Sequence, residues 1–227
     1  MGKASKVGRE NQRFLIMPEI LIFGDSIAYG AWDREGGWVQ RLRKFLDERN
    51  LADPNFYCLV YNLGIPGNTS ADLLERVEFE TEQRLKAGEE TIIIYAIGIN
   101  DSQFVHSKGG HNVPLDEFRE NIQKLIDKAK EYSPKIAFLG LTPVDEGKTT
   151  PIPWNPDKSY KNEYIERYNK VIRKVCEENE IYFIEVLERL KALNYQDLLE
   201  DGLHPNSKGH QKIFEIVRDF LIKNKIL

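Results

Sequence analysis

Residues 19–26 read EILIFGDS, an apolar run that ends in Gly-Asp-Ser. Nearly continuous apolar runs of this length are typical of β-strands that are covered on both faces. Three other runs are of the same kind, and a fifth is less apolar. The five predicted strands are Glu19–Phe23, Phe56–Tyr61, Thr91–Ile97, Lys135–Leu141 and Ile181–Val186.

Segments with apolar residues at helical spacing separate these strands. In the first segment Trp38, Leu42 and Leu46 fall on one face, so Trp38 is predicted to be a core residue. Strands that alternate with amphipathic helices form a parallel sheet with helices on both faces. We therefore predict an α/β fold with three layers, α/β/α, around a five-stranded parallel sheet. Right-handed crossovers favour a flavodoxin-like strand order.

The chain has 227 residues, of which 41% are hydrophobic and 30% are charged. This composition is typical of a globular protein, and no internal repeat or linker divides the chain. We predict a single domain over residues 18–227. Residues 1–14 are mostly basic and polar, and residues 1–17 are predicted to be an N-terminal extension that is either disordered or foreign to the natural chain.

The charge and hydropathy patterns argue against several classes of function. The net charge is −4 and no block of like charge occurs, which argues against nucleic-acid binding. The longest apolar stretch, 92–99, is far shorter than the roughly 20 residues that span a membrane, so no membrane insertion is predicted. No apolar region of a secretory signal precedes Phe14, which predicts a cytoplasmic protein. Cys58 and Cys176 are predicted to be buried free thiols.

Three long connections follow the carboxyl ends of predicted strands, over residues 101–114, 142–159 and 187–206. Long connections in compact α/β proteins are usually functional. Ligands of open α/β sheets bind at this edge of the sheet. We therefore expect the functional site among these segments.

Three short blocks at the same edge carry candidate reactive groups. Ser26 is either a nucleophile at a helix N-terminus or simply the cap of that helix. In NLGIPGNTS, residues 62–70, Gly64 or Gly67 would let a backbone N–H approach a substrate oxygen closely. The alternative for that block is a turn followed by a helix cap. Asn100 is either a donor to an oxyanion or an ordinary turn residue.

A fourth block, Asp201-Gly-Leu-His204, precedes the last predicted helix. An Asp and a His three residues apart across a turn can meet. A carboxylate on one ring nitrogen fixes the tautomer that leaves the other nitrogen free to act as a base. The alternative is that Asp201 belongs to a turn and that His204 is a surface residue.

Together, and in this order, the four blocks resemble those of the SGNH hydrolases, also called GDSL-type esterases and lipases. The resemblance extends over about residues 18–222 and implies a serine hydrolase with a flavodoxin-like fold. It implies that Ser26, Asp201 and His204 form the catalytic triad. It also implies an oxyanion hole made by the backbone N–H of Ser26, the N–H of Gly67 and the side chain of Asn100.

The resemblance implies an esterase that needs no metal or other cofactor and acts on a small-molecule ester of short or medium chain length. One alternative within the family is a deacetylase of O-acetylated sugars or glycans. A second alternative is a non-catalytic flavodoxin-like module in which the blocks at 24–26 and 66–70 bind a phosphate or a flavin. That module is disfavoured because the sequence lacks a G-x-G-x-x-G pattern.

Several other residues carry groups that could serve a function. His106 and His111 lie in a Gly-rich segment without the spacing of a helical metal site, so no metal site is predicted. His210 is interpreted as a packing or surface residue. Tyr160, Tyr164 and Tyr168 share a helical spacing and are interpreted as packing residues. The candidate substrate-binding residues are Tyr29, Trp32, Phe104 and Trp154.

Overall fold

The computed structural model describes residues 18–227, and the predicted N-terminal extension over residues 1–17 lies outside this range. Eight strands occur in the described part of the chain. They are β1 (Glu19–Gly24), β2 (Leu59–Gly64), β3 (Thr91–Ala96), β4 (Phe104–Val105), β5 (Gly110–His111), β6 (Lys135–Leu139), β7 (Lys158–Ser159) and β8 (Tyr182–Ile184).

Residues 18–227 also contain eight α-helices, together with 3₁₀ turns at His106–Lys108 and Tyr195–Leu198. The helices are α1 (Ser26–Tyr29), α2 (Gly37–Ala52), α3 (Ser70–Glu82), α4 (Leu115–Lys130), α5 (Glu146–Thr149), α6 (Asn162–Glu178), α7 (Leu187–Lys191) and α8 (Ser207–Lys223).

Five of the strands form one parallel sheet in the order β2-β1-β3-β6-β8. Counted along the chain, this order is 2-1-3-4-5, the flavodoxin-like arrangement. Helices α2 and α8 pack together, and α3, α4 and α6 form a second row. Right-handed crossovers put these two groups on opposite faces of the sheet. The predicted three-layer α/β/α architecture is confirmed.

One contiguous cluster of buried apolar side chains surrounds the sheet. Every residue of β1 is buried, as predicted for a strand covered on both faces. Trp38 is fully buried in α2, which confirms its predicted core position. Cys58 and Cys176 are buried free thiols, also as predicted. Within residues 18–227 no helix has the length and apolar character needed to cross a membrane.

Strand β2 begins three residues later than the sequence pattern predicted. The Asn50 side chain hydrogen-bonds to both the N–H and the carbonyl of Cys58, at 2.9 Å each, so this part of the predicted strand is tied to α2. The strand then continues to Gly64, because its register with β1 runs from Leu59 opposite Glu19 to Gly64 opposite Gly24. Local side-chain hydrogen bonds of this kind compete with strand pairing.

A second, three-stranded antiparallel sheet was not predicted. Strand β4 pairs with β5 on one side and with β7 on the other. Each of these strands has two residues, which is too short for an alternating pattern to be recognised in a sequence. This small sheet joins the long connections over residues 101–114 and 142–159.

The turn between β1 and α1 fixes the position of Ser26. Asp25 caps α1, and its Oδ1 accepts the N–H of Ile27 at 2.9 Å. Gly64 lies against this turn, and a Cβ built on it would overlap the backbone nitrogen of Tyr29 and lie 2.8 Å from the carbonyl oxygen of Asp25. A glycine at position 64 therefore allows β2 and α1 to approach each other closely.

We expect Gly64→Ala to lower the free energy of unfolding by about 1–3 kcal/mol, because the added methyl group must displace the backbone of α1. Thermal and chemical denaturation would measure the loss. Gly110→Ala is the matched control, since no heavy atom lies within 4 Å of a Cβ built there. Equal stability of the two variants would contradict the close packing of α1 on β2.

Candidate active site

Three side chains that are distant in sequence form a hydrogen-bonded chain at the carboxyl edge of the main sheet. His204 Nε2 lies 3.0 Å from Ser26 Oγ, and His204 Nδ1 lies 2.7 Å from Asp201 Oδ2. The carboxylate next to Nδ1 keeps the ring proton on that nitrogen, so Nε2 faces the serine as an acceptor. The structure thus brings Ser26, His204 and Asp201 into the arrangement expected from the sequence.

Asp201 is held as a carboxylate by several donors. Its Oδ1 accepts the backbone N–H groups of Leu203 and His204 at 2.9 and 2.8 Å, and its Oδ2 also accepts the Trp32 indole N–H at 3.0 Å. Burial raises the pKa of Asp201, but the hydrogen bonds and charge of His204 and the N–H of Leu203 outweigh burial and lower the pKa to about 2. The group is therefore ionised at neutral pH.

A second carboxyl group, that of Asp25, is buried next to Ser26 in the chain. Burial raises its pKa to about 7, although the N–H of Ile27 and the charge of His204 act in the opposite direction. Its side chain serves as the helix cap, so the capping role that the sequence left open for Ser26 belongs to Asp25. Ser26 is the first residue of α1, and its N–H has no acceptor within the helix.

The structure distinguishes the two candidate glycines in the loop after β2. The N–H of Gly64 donates to Asn62 Oδ1 at 3.0 Å, and this residue packs against α1. Gly67 lines the open cavity beside Ser26, and a Cβ built on it would meet no atom within 4 Å. Its φ of +84° is one that glycine adopts without strain. Of the two residues, Gly67 is the one whose backbone faces a ligand space.

Asn100 follows β3 and also lines the cavity. Its Nδ2 donates to the carbonyl of Asn68 at 3.0 Å, which connects it to the loop that contains Gly67. Its Oδ1 accepts the hydroxyl of Tyr160 at 2.8 Å, and Gln103 Nε2 lies 2.6 Å from that hydroxyl. The amide of Asn100 therefore has defined hydrogen-bond partners at both its oxygen and its nitrogen.

Tyr160 is a site residue that the sequence interpretation missed. It lies just before α6 and forms part of the cavity wall, whereas its spacing from Tyr164 and Tyr168 predicts a packing residue. Tyr168 is buried in α6 and agrees with that interpretation. Since Tyr160 is sixty positions from Asn100, no local pattern in the sequence could have shown their contact.

A cavity of about 700 Å³ opens over Ser26 and His204. Two tryptophan rings flank the imidazole of His204, Trp32 edge-on with centroids 5.8 Å apart and Trp154 stacked at 6.3 Å. Tyr29 also lines the cavity. These three residues are among the four that the sequence nominated for substrate binding.

Phe104, the fourth nominated residue, does not line this cavity, so the geometry does not support a binding role for it. Strand β4 carries its ring into an aromatic cluster with His106, His111 and Tyr164, at centroid distances of 5.3, 5.8 and 6.1 Å. The ring is held there because β4 is fixed between β5 and β7. Phe104 lies away from the cavity because of the small antiparallel sheet, which the sequence did not predict.

The remaining histidines lie outside the cavity lining. His106 Nε2 lies 2.8 Å from Ser159 Oγ, and His111 Nδ1 lies 2.9 Å from the carbonyl of Ser102. His210 is fully buried, and its Nδ1 accepts the N–H of Trp38 at 3.3 Å. Burial lowers the pKa of His210 to about 4, so this imidazole is neutral at pH 7 and acts as a packing residue.

Comparison with known proteins agrees with this fold and shows the family to which the chain belongs. The family model of the GDSL-like lipase/acylhydrolase family matches residues 22–212, and the chain belongs to this family. A GDSL esterase/lipase of Arabidopsis thaliana is 27% identical over 210 residues, which are 88% of this chain and 83% of the plant protein. The isoamyl acetate-hydrolyzing esterase of Saccharomyces cerevisiae is 28% identical over 139 residues, 55% of each chain.

A solved structure shows the same fold at low sequence identity. The acetylxylan esterase of Geobacillus stearothermophilus superposes with a TM-score of 0.67 and 23% identity, over 91% of this chain and 94% of that chain. Family membership confirms the resemblance to SGNH hydrolases that the four sequence blocks indicated. The protein is therefore an enzyme of the ester-hydrolase class.

The raised pKa of Asp25 predicts a pH-dependent effect of Asp25→Asn on stability. The folded-state pKa is about 7 against an ordinary value of 3.8, so the neutral acid contributes to the free energy of unfolding. This contribution is fully present below about pH 4. That contribution is lost as the pH rises through 7. Asparagine does not titrate, so we expect the stability of the variant relative to the wild type to rise by about 3 kcal/mol between pH 5 and pH 8.

Urea denaturation of both proteins at the two pH values measures this difference. Asp116→Asn serves as the control, because Asp116 is exposed in the first turn of α4. The same pH response in both variants, or none in either, would contradict the burial of Asp25 as a titrating group.

Proposed function

We propose that this chain hydrolyses carboxylic esters through a Ser26–His204–Asp201 triad and an acyl-enzyme intermediate. The observation that carries the proposal is the continuous hydrogen-bonded chain from Ser26 Oγ to His204 and on to Asp201, at 3.0 and 2.7 Å, at the floor of an open cavity. A serine hydroxyl is a weak nucleophile at neutral pH and needs an adjacent base of this kind.

In the first half of the reaction His204 Nε2 takes the hydroxyl proton while Ser26 Oγ attacks the ester carbonyl carbon. The imidazolium then gives this proton to the departing alcohol as the carbon–oxygen ester bond breaks. In the second half water loses a proton to His204 and attacks the acyl carbon. The imidazolium then returns this proton to Ser26 Oγ as the bond between Oγ and the acyl carbon breaks, which releases the carboxylic acid and restores the serine. The charge of Asp201 stabilises the imidazolium in both halves.

Three donors are proposed to hold the oxyanion of the tetrahedral intermediates. They are the N–H of Ser26 at the start of α1, the N–H of Gly67 and the side-chain amide of Asn100. The support is that all three residues line the same cavity, and that the open side of Gly67 faces it. Donors of this type contribute most when charge develops on the oxygen, and losing one costs about 10²–10³ in kcat.

Ser26→Ala should lower kcat on p-nitrophenyl acetate by about 10⁴-fold or more, because the nucleophile is lost while the cavity remains. A fluorophosphonate probe should label the wild type at Ser26 and leave the variant unlabelled. Ser207→Ala is the matched control, since Ser207 begins α8 and its hydroxyl accepts a hydrogen bond from Arg41. Wild-type turnover by Ser26→Ala would refute the assignment of the nucleophile.

The proposed enzyme prefers esters with short acyl groups. Polar side chains line the cavity between the aromatic residues, among them Gln103, Asn112 and Asn155. A long alkyl chain would cover these groups without offering them hydrogen bonds, which is unfavourable. The name of the yeast relative, which describes hydrolysis of an acetate ester, supports the same choice.

An O-acetylated sugar is a second candidate substrate. Trp32 and Trp154, whose rings lie beside that of His204, are 67% and 54% exposed as residues. Their indole rings offer flat apolar surfaces next to polar groups, as the two sides of a sugar ring require. The acetylxylan esterase with a similar fold acts on a substrate of this class, as its name states.

A panel of p-nitrophenyl esters from acetate to palmitate tests the acyl preference. We expect kcat/KM for acetate and butyrate to exceed that for palmitate by at least about tenfold, a difference of about 1.4 kcal/mol. An increase of kcat/KM along the series would contradict the proposed short-chain preference.

Acetylated xylobiose, assayed with the wild type and with Trp154→Ala, separates the two candidate substrates. If the natural substrate is an acetylated sugar, Trp154→Ala should lower the activity on acetylated xylobiose more than the activity on p-nitrophenyl acetate.

A further inference from the structure

We propose that Tyr160 is a positioning residue that orients the Asn100 side chain, so that one amide N–H is directed at the oxyanion. This inference rests on the proposed function, because it assumes that Asn100 is an oxyanion donor. The residue lies in none of the four sequence blocks and acts through Asn100 rather than on the substrate.

The hydrogen-bond partners determine which way the Asn100 amide faces. The carbonyl of Asn68 can only accept, so the nitrogen of Asn100 must face it, at 3.0 Å. Oδ1 of Asn100 then faces Tyr160, whose hydroxyl has a single proton and donates it at 2.8 Å. Gln103 in turn must present its amide N–H to the Tyr160 oxygen, at 2.6 Å. The three side chains therefore have one consistent assignment.

This assignment leaves one hydrogen of the Asn100 amide unused by Asn68. Asn100 lines the cavity beside Ser26, so the unused N–H is available to an oxygen that enters there. The two bonds at opposite ends of the amide prevent rotation about its last torsion. A fixed donor costs no reorganisation at the moment when the oxyanion forms.

The network is buried, which makes its hydrogen bonds strong and its loss costly. Tyr160, Asn100 and Gln103 are 3%, 8% and 4% exposed, respectively. Burial also raises the pKa of Tyr160, so its hydroxyl stays protonated and able to donate throughout the working pH range. An unpaired buried carbonyl at Asn100 would be unfavourable, and the side chain would turn to find another partner.

The backbone around Tyr160 is fixed by the small sheet. Strand β7 ends one residue before Tyr160, and β4 begins one residue after Gln103. The pairing of Phe104 with Ser159 therefore brings Gln103 and Tyr160 together. The N–H of Tyr160 also donates to the carbonyl of Thr149 at 2.9 Å.

The test is Tyr160→Phe, which removes the hydroxyl and keeps the ring. We expect kcat on p-nitrophenyl acetate to fall about tenfold with KM nearly unchanged, a part of the 10²–10³ that losing a whole oxyanion donor costs. Tyr168→Phe is the matched control, because it also removes a buried hydroxyl, one that donates to the carbonyl of Val113. Tyr168→Phe should lose about as much free energy of unfolding as Tyr160→Phe and keep the wild-type kcat.

A double-mutant cycle with Asn100→Ala tests whether Tyr160 acts through Asn100. In the Asn100→Ala background we expect Tyr160→Phe to change kcat by less than about twofold, because the group that it positions is already absent. If the two substitutions lower kcat by independent factors, or if Tyr160→Phe alone matches the wild type, the proposal is wrong.

A readout without turnover keeps this inference separate from the proposed function. In the wild type the side-chain NH₂ of Asn100 should give two distinct NMR resonances of a fixed amide, and in Tyr160→Phe these should shift and broaden. Unchanged Asn100 resonances would overturn the positioning role. Absence of ester turnover in the wild type and in Tyr168→Phe would instead refute the proposed function and leave this NMR result to decide on Tyr160.

Discussion

Strand β1 is hydrogen-bonded on both edges and buried on both faces, and the geometry of the site depends on this constraint. Its residues pair one by one with β2 and with β3, so that Gly24 lies between Gly64 and Ala96. Because the three strands are parallel and in register, their connections leave the sheet at the same level. Ser26, Gly67 and Asn100 therefore meet at one edge although they are far apart in sequence.

The balance between burial and hydrogen bonding sets the pKa of each carboxyl group at this edge. Asp201 has four N–H donors within 3.0 Å and a pKa lowered to about 2. Asp25 and Asp101 are more deeply buried, and burial raises their pKa values to about 7 and about 6. Asp101 accepts hydrogen bonds from the N–H and hydroxyl of Ser70, at the start of α3. Asp201, the carboxylate that contacts His204, is thus fully ionised at neutral pH, whereas burial favours the neutral form of Asp25.

The sequence predicted those parts of the molecule that rest on local patterns. Buried strands have apolar runs and α2 has a periodic face, so the layers, the strand order and the core position of Trp38 could be derived before the structure. Ser26, Asn100, Asp201 and His204 could be nominated because each lies in a short polar block at a strand end or before the last helix. The structure then brings Ser26, His204 and Asp201 into contact.

Pairings between short segments could not be predicted in this way. Strands β4 and β7 have two residues each, so neither has a pattern that the sequence could show. The pairing of β4 with β7 places Phe104 outside the cavity lining and brings Tyr160 close to Asn100, and the sequence predicted neither position. The predicted start of β2 was wrong for a related reason. Two hydrogen bonds between the Asn50 side chain and the backbone of Cys58 hold the residues before Leu59 outside the sheet.

The same small sheet links the cavity to the hydrogen bonds behind Asn100. The connection over residues 142–159 carries Trp154 into the cavity wall, and it leads directly to Tyr160. Its pairing with β4 brings Gln103 and Tyr160 together behind Asn100. A change that moves this connection to admit a different alcohol or acyl group would therefore also move the residues that hold the Asn100 amide. Under the proposed function, the selection of substrate and the orientation of Asn100 would depend on one segment, because Trp154 and Tyr160 lie on either side of β7.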